Sequence, residues 1–189
     1  MKMFAVLFAG LVFAISNLVA AESYEIDPVH STVIFKVQHF GAGYSYGRFN
    51  TLKGTFQYDE KDLSKSSIEI AIQADSVDTG NAQRDTHLKG AFFNAAQFPA
   101  ITFKSTKVEK GDKDGLLKVT GDLTLMGVTK PVTLDVKHVG AAEDPMKSFR
   151  RGFETSLTIK RSDYGMKTML DKNIGDEVTL IIALEGVKK

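Results

Sequence analysis

DSVDTGNAQRDTHLKGAFFNAAQFP, Asp75 to Pro99, is the stretch that decides how the rest of the chain is read. On both sides of it apolar and polar residues alternate as they do in β-strands, and inside it the alternation stops. Leu88, Phe92 and Phe93 are its main large apolar side chains before Phe98, and charge gathers at Arg84, Asp85, His87 and Lys89. Asn81 suits an N-cap, because its side-chain oxygen can accept from one of the first unpaired helix N–H groups. Gly90 can adopt a positive φ and so predicts the end of a short helix of about two turns. The stretch therefore reads as one helical excursion across the end or side of a body built from strands. Two uses fit it: a connector that covers an exposed sheet edge or plugs a core, or a lid with a polar mouth where Arg84 and His87 meet a ligand head group.

Working outward, Tyr24 to Pro28 is a short extended entry, and His30 to His39 is a strand with Val33, Phe35, Val37 and His39 on one face. Gly41, Gly43 and Gly47 predict a flexible turn around Tyr44 and Tyr46. Arg48 to Tyr58 follows as a strand with Leu52, Gly54, Phe56 and Tyr58 in phase; Phe49 is out of phase, which predicts a bulge or bend near Asn50. Ser67 to Ala74 alternates around Ile68, Ile70 and Ile72. Beyond Pro99 come Ile101 to Glu109, then a hairpin loop over Lys110 to Gly115, then Leu117 to Leu125. Met126 to Lys130 turns the chain into a strand carrying Val132, Leu134, Val136 and His138, and a loop is expected around Gly140 to Pro145. Phe149 to Lys160 places Arg151, Phe153, Thr155, Leu157 and Ile159 on one face, Arg161 to Asp176 reads as irregular, and Val178 to Val187 closes the chain. The pattern is all-β: about eight strands, each with one apolar face, and one short helix, which suggests a barrel or a two-sheet sandwich.

The chain opens MKMFAVLFAGLVFAISNLVAAES: a basic Lys2, an apolar run from Phe4 to Ile15, and small residues at Val19-Ala20-Ala21. This reads as a secretory signal peptide over residues 1–21, cleaved after Ala21, with one mature domain over 22–189. Export implies a periplasmic address and no stable membrane span once the signal is gone. The mature length, 189 − 21 = 168 residues, suits one domain with a real core. Cysteine is absent, so stability rests on packing and hydrogen bonds. Losing Lys2 leaves 23 basic residues of the 24 against 23 acidic ones, and that balance argues against a nucleic-acid partner. Neutral charge and open strand edges permit a homodimer.

The inner positions are almost all aliphatic or phenylalanine, with small residues at Gly54, Ala74 and Gly121. Such a face can close into a packed core or line an apolar tunnel, and the pattern fits both. His39 and His138 fall in step with their apolar faces and would serve as satisfied core or rim residues, or mark a polar tunnel mouth. No metal site or cofactor is expected, because the four histidines show no short ligand spacing and no cysteine accompanies them. No Gly-x-Ser-x-Gly elbow and no Gly-rich phosphate loop is present, and nothing singles out a nucleophile for Asp85 and His87, so the reading is non-enzymatic with no catalytic residue.

These residues resemble the YceI-like family of exported bacterial proteins across essentially the whole mature chain. The likeness rests on YEIDPVHSTVIFKVQH, on SVDTGNAQRDTHLKGAFFNAAQFPAITFKST and on GDLTLMGVTKPVTLDV, with RRGFETSLTIKRSDYG and EVTLIIALEGV completing it. It implies an extended, lipocalin-like antiparallel β-barrel with a long apolar tunnel, and a partner that is an isoprenoid lipid such as a polyprenyl pyrophosphate or a quinone tail. Strand parity then assigns the tunnel wall to Val33, Phe35, Val37, Phe56, Ile70, Ile72, Phe103, Leu123, Leu125, Leu134, Val136, Phe153, Leu157, Leu180 and Ile182. The head group is assigned to Arg84 and His87, with Arg48 and His39 as second choices, since arginine pairs bidentately with phosphate. The competing functions are an enzyme acting on such a lipid and a stress-related or structural module with a fully packed core.

Overall fold

The computed structural model describes residues 21–113, 115–172 and 174–189. The expected signal peptide, apart from Ala21, lies outside them. The described residues form one antiparallel sheet of eleven strands that closes on itself, with the order β1-β4-β5-β7-β8-β9-β10-β11 and β11 pairing back onto β1. β2, β3 and β6 extend the sheet from the other half of β11. The strands are β1 (Glu22–Ile26), β2 (Thr32–His39), β3 (Gly43–Phe49), β4 (Leu52–Tyr58), β5 (Ser67–Gln73), β6 (Val77–Asp78), β7 (Ala100–Lys110), β8 (Leu116–Leu125), β9 (Val128–Glu143), β10 (Phe149–Lys160) and β11 (Ile174–Lys188). Three of the walls are single staves broken in the middle: β1 with β2, β3 with β4, and β5 with β6. Counted as staves, the molecule is an eight-stranded up-and-down barrel.

Each break has a local cause. Asp27 ends β1 by accepting from the Val29 N–H at 2.9 Å and contacting His30 Nδ1 at 2.8 Å, a side-chain turn that competes with the ladder. Asn50 and Thr51 leave the ladder because their N–H groups donate to the Ser76 carbonyl and hydroxyl. The bend near Asn50 is thus where parity places it, and it lets Phe49 and Leu52, three residues apart, both be buried.

The flexible turn expected over Gly41 to Gly47 is instead mostly strand. Only Phe40 to Ala42 turns, and β3 pairs with β2 from Gly43 onward. The glycines hide its alternation, and Gly47 is required there, since a Cβ would collide with the Phe35 ring. Gly90 does not stop the helix. Helix α1 (Ala82–His87) continues through a π-turn over Leu88–Phe92, and the left-handed residue that ends it is Asn94, at φ 45°. The loop expected at Gly140 is also strand: β9 runs to Glu143, with Val139 bulged where the register slips between Gly152 and Phe153. Met126 and Gly127, at φ 51° and 75°, make a two-residue hairpin turn between β8 and β9.

One seam is incomplete. The β9–β10 ladder ends at Val136 opposite Thr155, whose hydroxyl donates to the Asp135 carbonyl at 2.7 Å. Beyond that fork, among the described residues, β9 from Val128 to Asp135 pairs only with β8, and β10 from Ser156 to Lys160 only with β11. Pro131 sits in this unpaired stretch, where a missing N–H costs no ladder bond. The outer surface is charged, with Lys104, Lys118, Asp122, Asp135, Lys137 and Glu154 opposite the apolar inner face. That is the reverse of a lipid-facing barrel wall. Among the described residues no helix is long and apolar enough to cross a membrane.

Candidate functional site

Inside the barrel is a cavity of about 530 Å³, and all fifteen residues assigned to the tunnel wall line it. The core is packed along β1, β4 and the end of β5, with Tyr24 fully buried and Ile26, Phe56, Leu52 and Ala74 nearly so. The middle is hollow. Phe103, Val136, Phe153, Leu157, Leu180 and Ile182 point inward yet are only half-buried, because they face open space rather than one another. Parity also brings Ile101, Ile159, Val178 and Leu184 to this wall, and Phe49, Phe92 and Phe93 join it from the bend and the lid. Among the described residues no buried side-chain nitrogen or oxygen lacks a hydrogen-bond partner, so the wall asks nothing polar of a guest.

The floor is an aromatic stack around an arginine. Tyr24 lies flat on Phe56 with ring centroids 4.7 Å apart, and Phe153 meets Phe56 edge-on at 5.5 Å. Arg151, 7% exposed, sets its guanidinium 4.4 Å from the Tyr58 ring centroid, donates from Nε to the Tyr24 hydroxyl at 3.1 Å, and reaches His138 Nε2 at 3.1 Å. Burial, and then the Arg151 charge, push the His138 pKa down from its ordinary value. A neutral imidazole is what lets Nε2 accept from Arg151. His138 therefore belongs to the closed end and does not pair with His39 to mark a mouth. Alternation had already placed Arg151 on the inner face; what it lacked was the set of long-range partners that make a buried cation tolerable.

The opposite end is the mouth, and the lid organises it. Asn81 caps α1 by accepting from the Arg84 N–H at 2.9 Å. Thr79 holds the first turn: its N–H and hydroxyl donate to Asp85 Oδ1 at 2.9 and 2.5 Å, while Arg84 donates from Nε to Thr79 Oγ1 and from Nη2 to the Thr79 carbonyl. The lid is anchored below by Phe93 against Phe49, centroids 5.5 Å apart, and laterally by the Thr168 hydroxyl donating to the Ala91 carbonyl at 2.7 Å. Arg84, His87 and His39 all border the opening and are exposed. Arg48 is not brought to it. Its neighbours Gly47 and Phe49 point inward, so Arg48 faces outward, 3.9 Å from Asp78 Oδ2.

The segment after β10 supplies the residue that sequence reading missed. Arg161 is 2% exposed and donates to four carbonyls, those of Gly175, Met166, Thr168 and Ile174, at 2.8 to 2.9 Å. One guanidinium fork thus folds the whole connection that walls the mouth and carries Met166 and Met169 to the cavity. No local pattern announces it, because all four partners are main-chain carbonyls, two in the irregular connection and two at the start of β11.

Outside the barrel's floor end, ligand atoms of Asp27, His30 and Glu185 lie within 4.8 Å of one another. Arg150 already supplies the cation there, donating to Asp27, Glu185 and Asp144 at 2.7 Å each. The Arg150 guanidinium, then His30, hold the Asp27 carboxyl well below the usual carboxylate range. This cluster staples the β1–β2 break to β11 and the β9–β10 turn.

A closed antiparallel barrel with an apolar cavity, a sealed floor and a lidded polar mouth defines a small-ligand binding barrel. Residues 24–186 match the YceI-like domain, and the chain belongs to the YceI-like family. Protein YceI of Escherichia coli O157:H7 is 46% identical over 186 residues, 96% of this chain and 95% of that relative, and Protein YceI of Salmonella agona is equally close. Among solved structures, the Campylobacter jejuni YCEI protein superposes with a TM-score of 0.66 at 25% identity, covering 100% of this chain and 99% of that one. Two more distant ones share the fold. Burkholderia cenocepacia BcnA has a TM-score of 0.76 at 24% identity, covering 85% of this chain and 98% of its own. A polyisoprenoid binding domain from Saccharophagus degradans, implicated in plant cell wall breakdown, has a TM-score of 0.69 at 19% identity, covering 89% of this chain and 99% of its own.

Proposed function

We propose that this chain is an exported, non-catalytic carrier that holds a long isoprenoid or similar amphiphilic lipid, with the tail in the barrel and the head group at the lidded mouth. The observation that carries the reading is the hollow middle: a 530 Å³ cavity with an apolar wall, no unpaired buried polar group among the described residues, and polar residues at one end. Each methylene moved from water into such a space is worth about 0.8 kcal/mol, so a tail binds with few polar contacts. From Phe153 on the floor to Ile159 near the mouth is six residues of β10, or roughly 20 Å of strand and about 15 Å along a barrel axis tilted by 35–45° from the strands. A zigzag chain advances about 1.2 Å per bond, which makes room for about three extended isoprene units before a tail must bend or protrude. Arg84 and His87 would hold a pyrophosphate or quinone head, with His39 across the opening. The leader-like first 21 residues support a periplasmic location. The Saccharophagus degradans domain supports the ligand class.

Mass spectrometry of an organic extract from natively purified protein tests the reading. A polyprenyl or quinone species at stoichiometric yield is expected. An empty extract, together with no uptake of added isoprenoid, refutes the carrier.

A further inference from the structure

The hairpin joining β2 to β3 ends beside the mouth, and it displays three aromatic rings to solvent. Phe40 is 53% exposed, Tyr44 59% and Tyr46 52%. Phe40 sits at φ 51°, a left-handed backbone that penalises bulky side chains and that glycine or asparagine would adopt without strain. The chain nevertheless places a phenylalanine there, with its ring on His39 at a centroid distance of 4.1 Å rather than in any core.

The sequence around this hairpin carries charge of one sign. Between Asp27 and Asp59 there is no acidic residue, while Lys36, Arg48 and Lys53 are present. Lys36 Nζ lies 4.5 Å from the Tyr44 ring centroid, which sets a cation beside the aromatic patch. From neighbouring elements, Asp78 pairs with Arg48, while Asp176 and Glu177 stand in the β11 bulge beside Gln38, Asp176 accepting from Ser162. Amphipathic rings flanked by lysine match the polar–apolar boundary of a bilayer, and the Lys36 ammonium beside them matches anionic head groups. His39, Ser45 and Tyr46 border the cavity opening, so the patch is continuous with the mouth.

We infer that the Phe40–Tyr46 hairpin docks the barrel, mouth down, on an anionic phospholipid surface. This rests on the carrier reading above: a docked mouth lets an apolar tail pass between bilayer and barrel without crossing water.

The chain contains no tryptophan, so Phe40→Trp supplies its sole indole. With vesicles of phosphatidylethanolamine and phosphatidylglycerol, its emission should shift to the blue and be quenched by brominated acyl chains. Val29→Trp, at the opposite end and 81% exposed as valine, should show neither change. Phe40→Asn with Tyr44→Ser should lose vesicle co-sedimentation by about tenfold or more per aromatic removed, with the melting temperature unchanged or raised. A Phe40→Trp emission that stays solvent-like with vesicles, in a sample that takes up isoprenoid from detergent, overturns the docking and leaves the carrier standing. A vesicle-independent dimer by light scattering that the double variant abolishes also overturns it, because the patch is then an interface between copies. A blue shift in protein that never takes up isoprenoid supports docking and refutes the carrier.

Discussion

Replacing Leu180 with tryptophan separates a hollow barrel from a packed one. Leu180 points inward from β11, in register with Phe35 on one side and Leu157 on the other. Four residues separate it from Leu184, which is level with the floor residue Phe153. Four residues are roughly 14 Å of strand, or about 10 Å along the barrel axis. At about 1.2 Å per bond that is about eight chain bonds, two isoprene units and ten carbons. An indole across this level removes at most about 8 kcal/mol of tail burial at 0.8 kcal/mol per carbon. If bending restores half, about 4 kcal/mol is lost, a thousandfold in affinity. Tails short enough to stop above Leu180 should bind as before. In a packed core the same substitution would cost about 1–3 kcal/mol and lower the melting temperature by about 2–12 °C. Here the indole enters open space, and the ligand-free melting temperature should hold or rise. Thermal melts, and competition among a tail-length series read by native mass spectrometry, make the assay. A destabilised Leu180→Trp protein that still binds long tails normally would refute the hollow-tunnel argument.

Other consequences are equally direct. Arg161→Met strips the donors from four carbonyls and should cost about 3 kcal/mol or more, read in denaturant melts; Arg161→Lys should not rescue it, since an ammonium cannot reproduce the fork. Arg84→Ala should leave the barrel folded and apolar tails bound but weaken a pyrophosphate-bearing ligand about tenfold or more; unchanged discrimination between phosphorylated and free isoprenols would leave Arg84 only the task of pinning α1 to Thr79. The depressed Asp27 carboxyl contributes stability that is present above its ordinary pKa of 3.8 and lost as pH falls below it, so acid titration should show a loss that Asp27→Asn flattens. His138 is depressed too, and since the unfolded state binds the proton first, stability should decline as pH falls below about 6.5, a component absent in His138→Gln.

Much of this molecule is legible in its alternation. Inner faces such as Leu117, Val119, Leu123 and Leu125 on β8 read directly, because one wall of every strand meets the cavity and the other meets water. The reading fails where a residue serves a tertiary need that its neighbours in sequence do not express. Gly43 and Gly47 hide the pattern of β3, and Gly47 is glycine on account of Phe35 across the strand pair and of Thr79, contacts its neighbours in sequence do not express. Gly90 reads as a helix stop on composition, whereas the lid runs on to Asn94 because Phe92 and Phe93 must reach the barrel rim. Whether the interior is packed or hollow is invisible to parity, which gives the direction of a side chain but not the distance to the wall opposite.

That distance explains how the barrel can be both empty and stable. A hollow middle forgoes the dispersion contacts of a packed core, so the fold must be held elsewhere, and strong polar arrangements gather at its two ends. Arg150 staples one end to three carboxylates, Arg151 is buried beneath the floor rings, and Arg161 folds the mouth connection. The three arginines share one property: each forks to several partners, so each substitutes for packing at a place where the chain would otherwise fray. The open stretch of the β9–β10 seam has neither a full ladder nor such a fork, spanned at its top only by Lys130 near Asp163, at 3.8 Å, among the described residues. A hollow barrel yields first where its wall is single-paired, so amide exchange should be fastest along Thr129 to Asp135 and Ser156 to Lys160, and a bound tail should slow it there more than anywhere in the complete ladders.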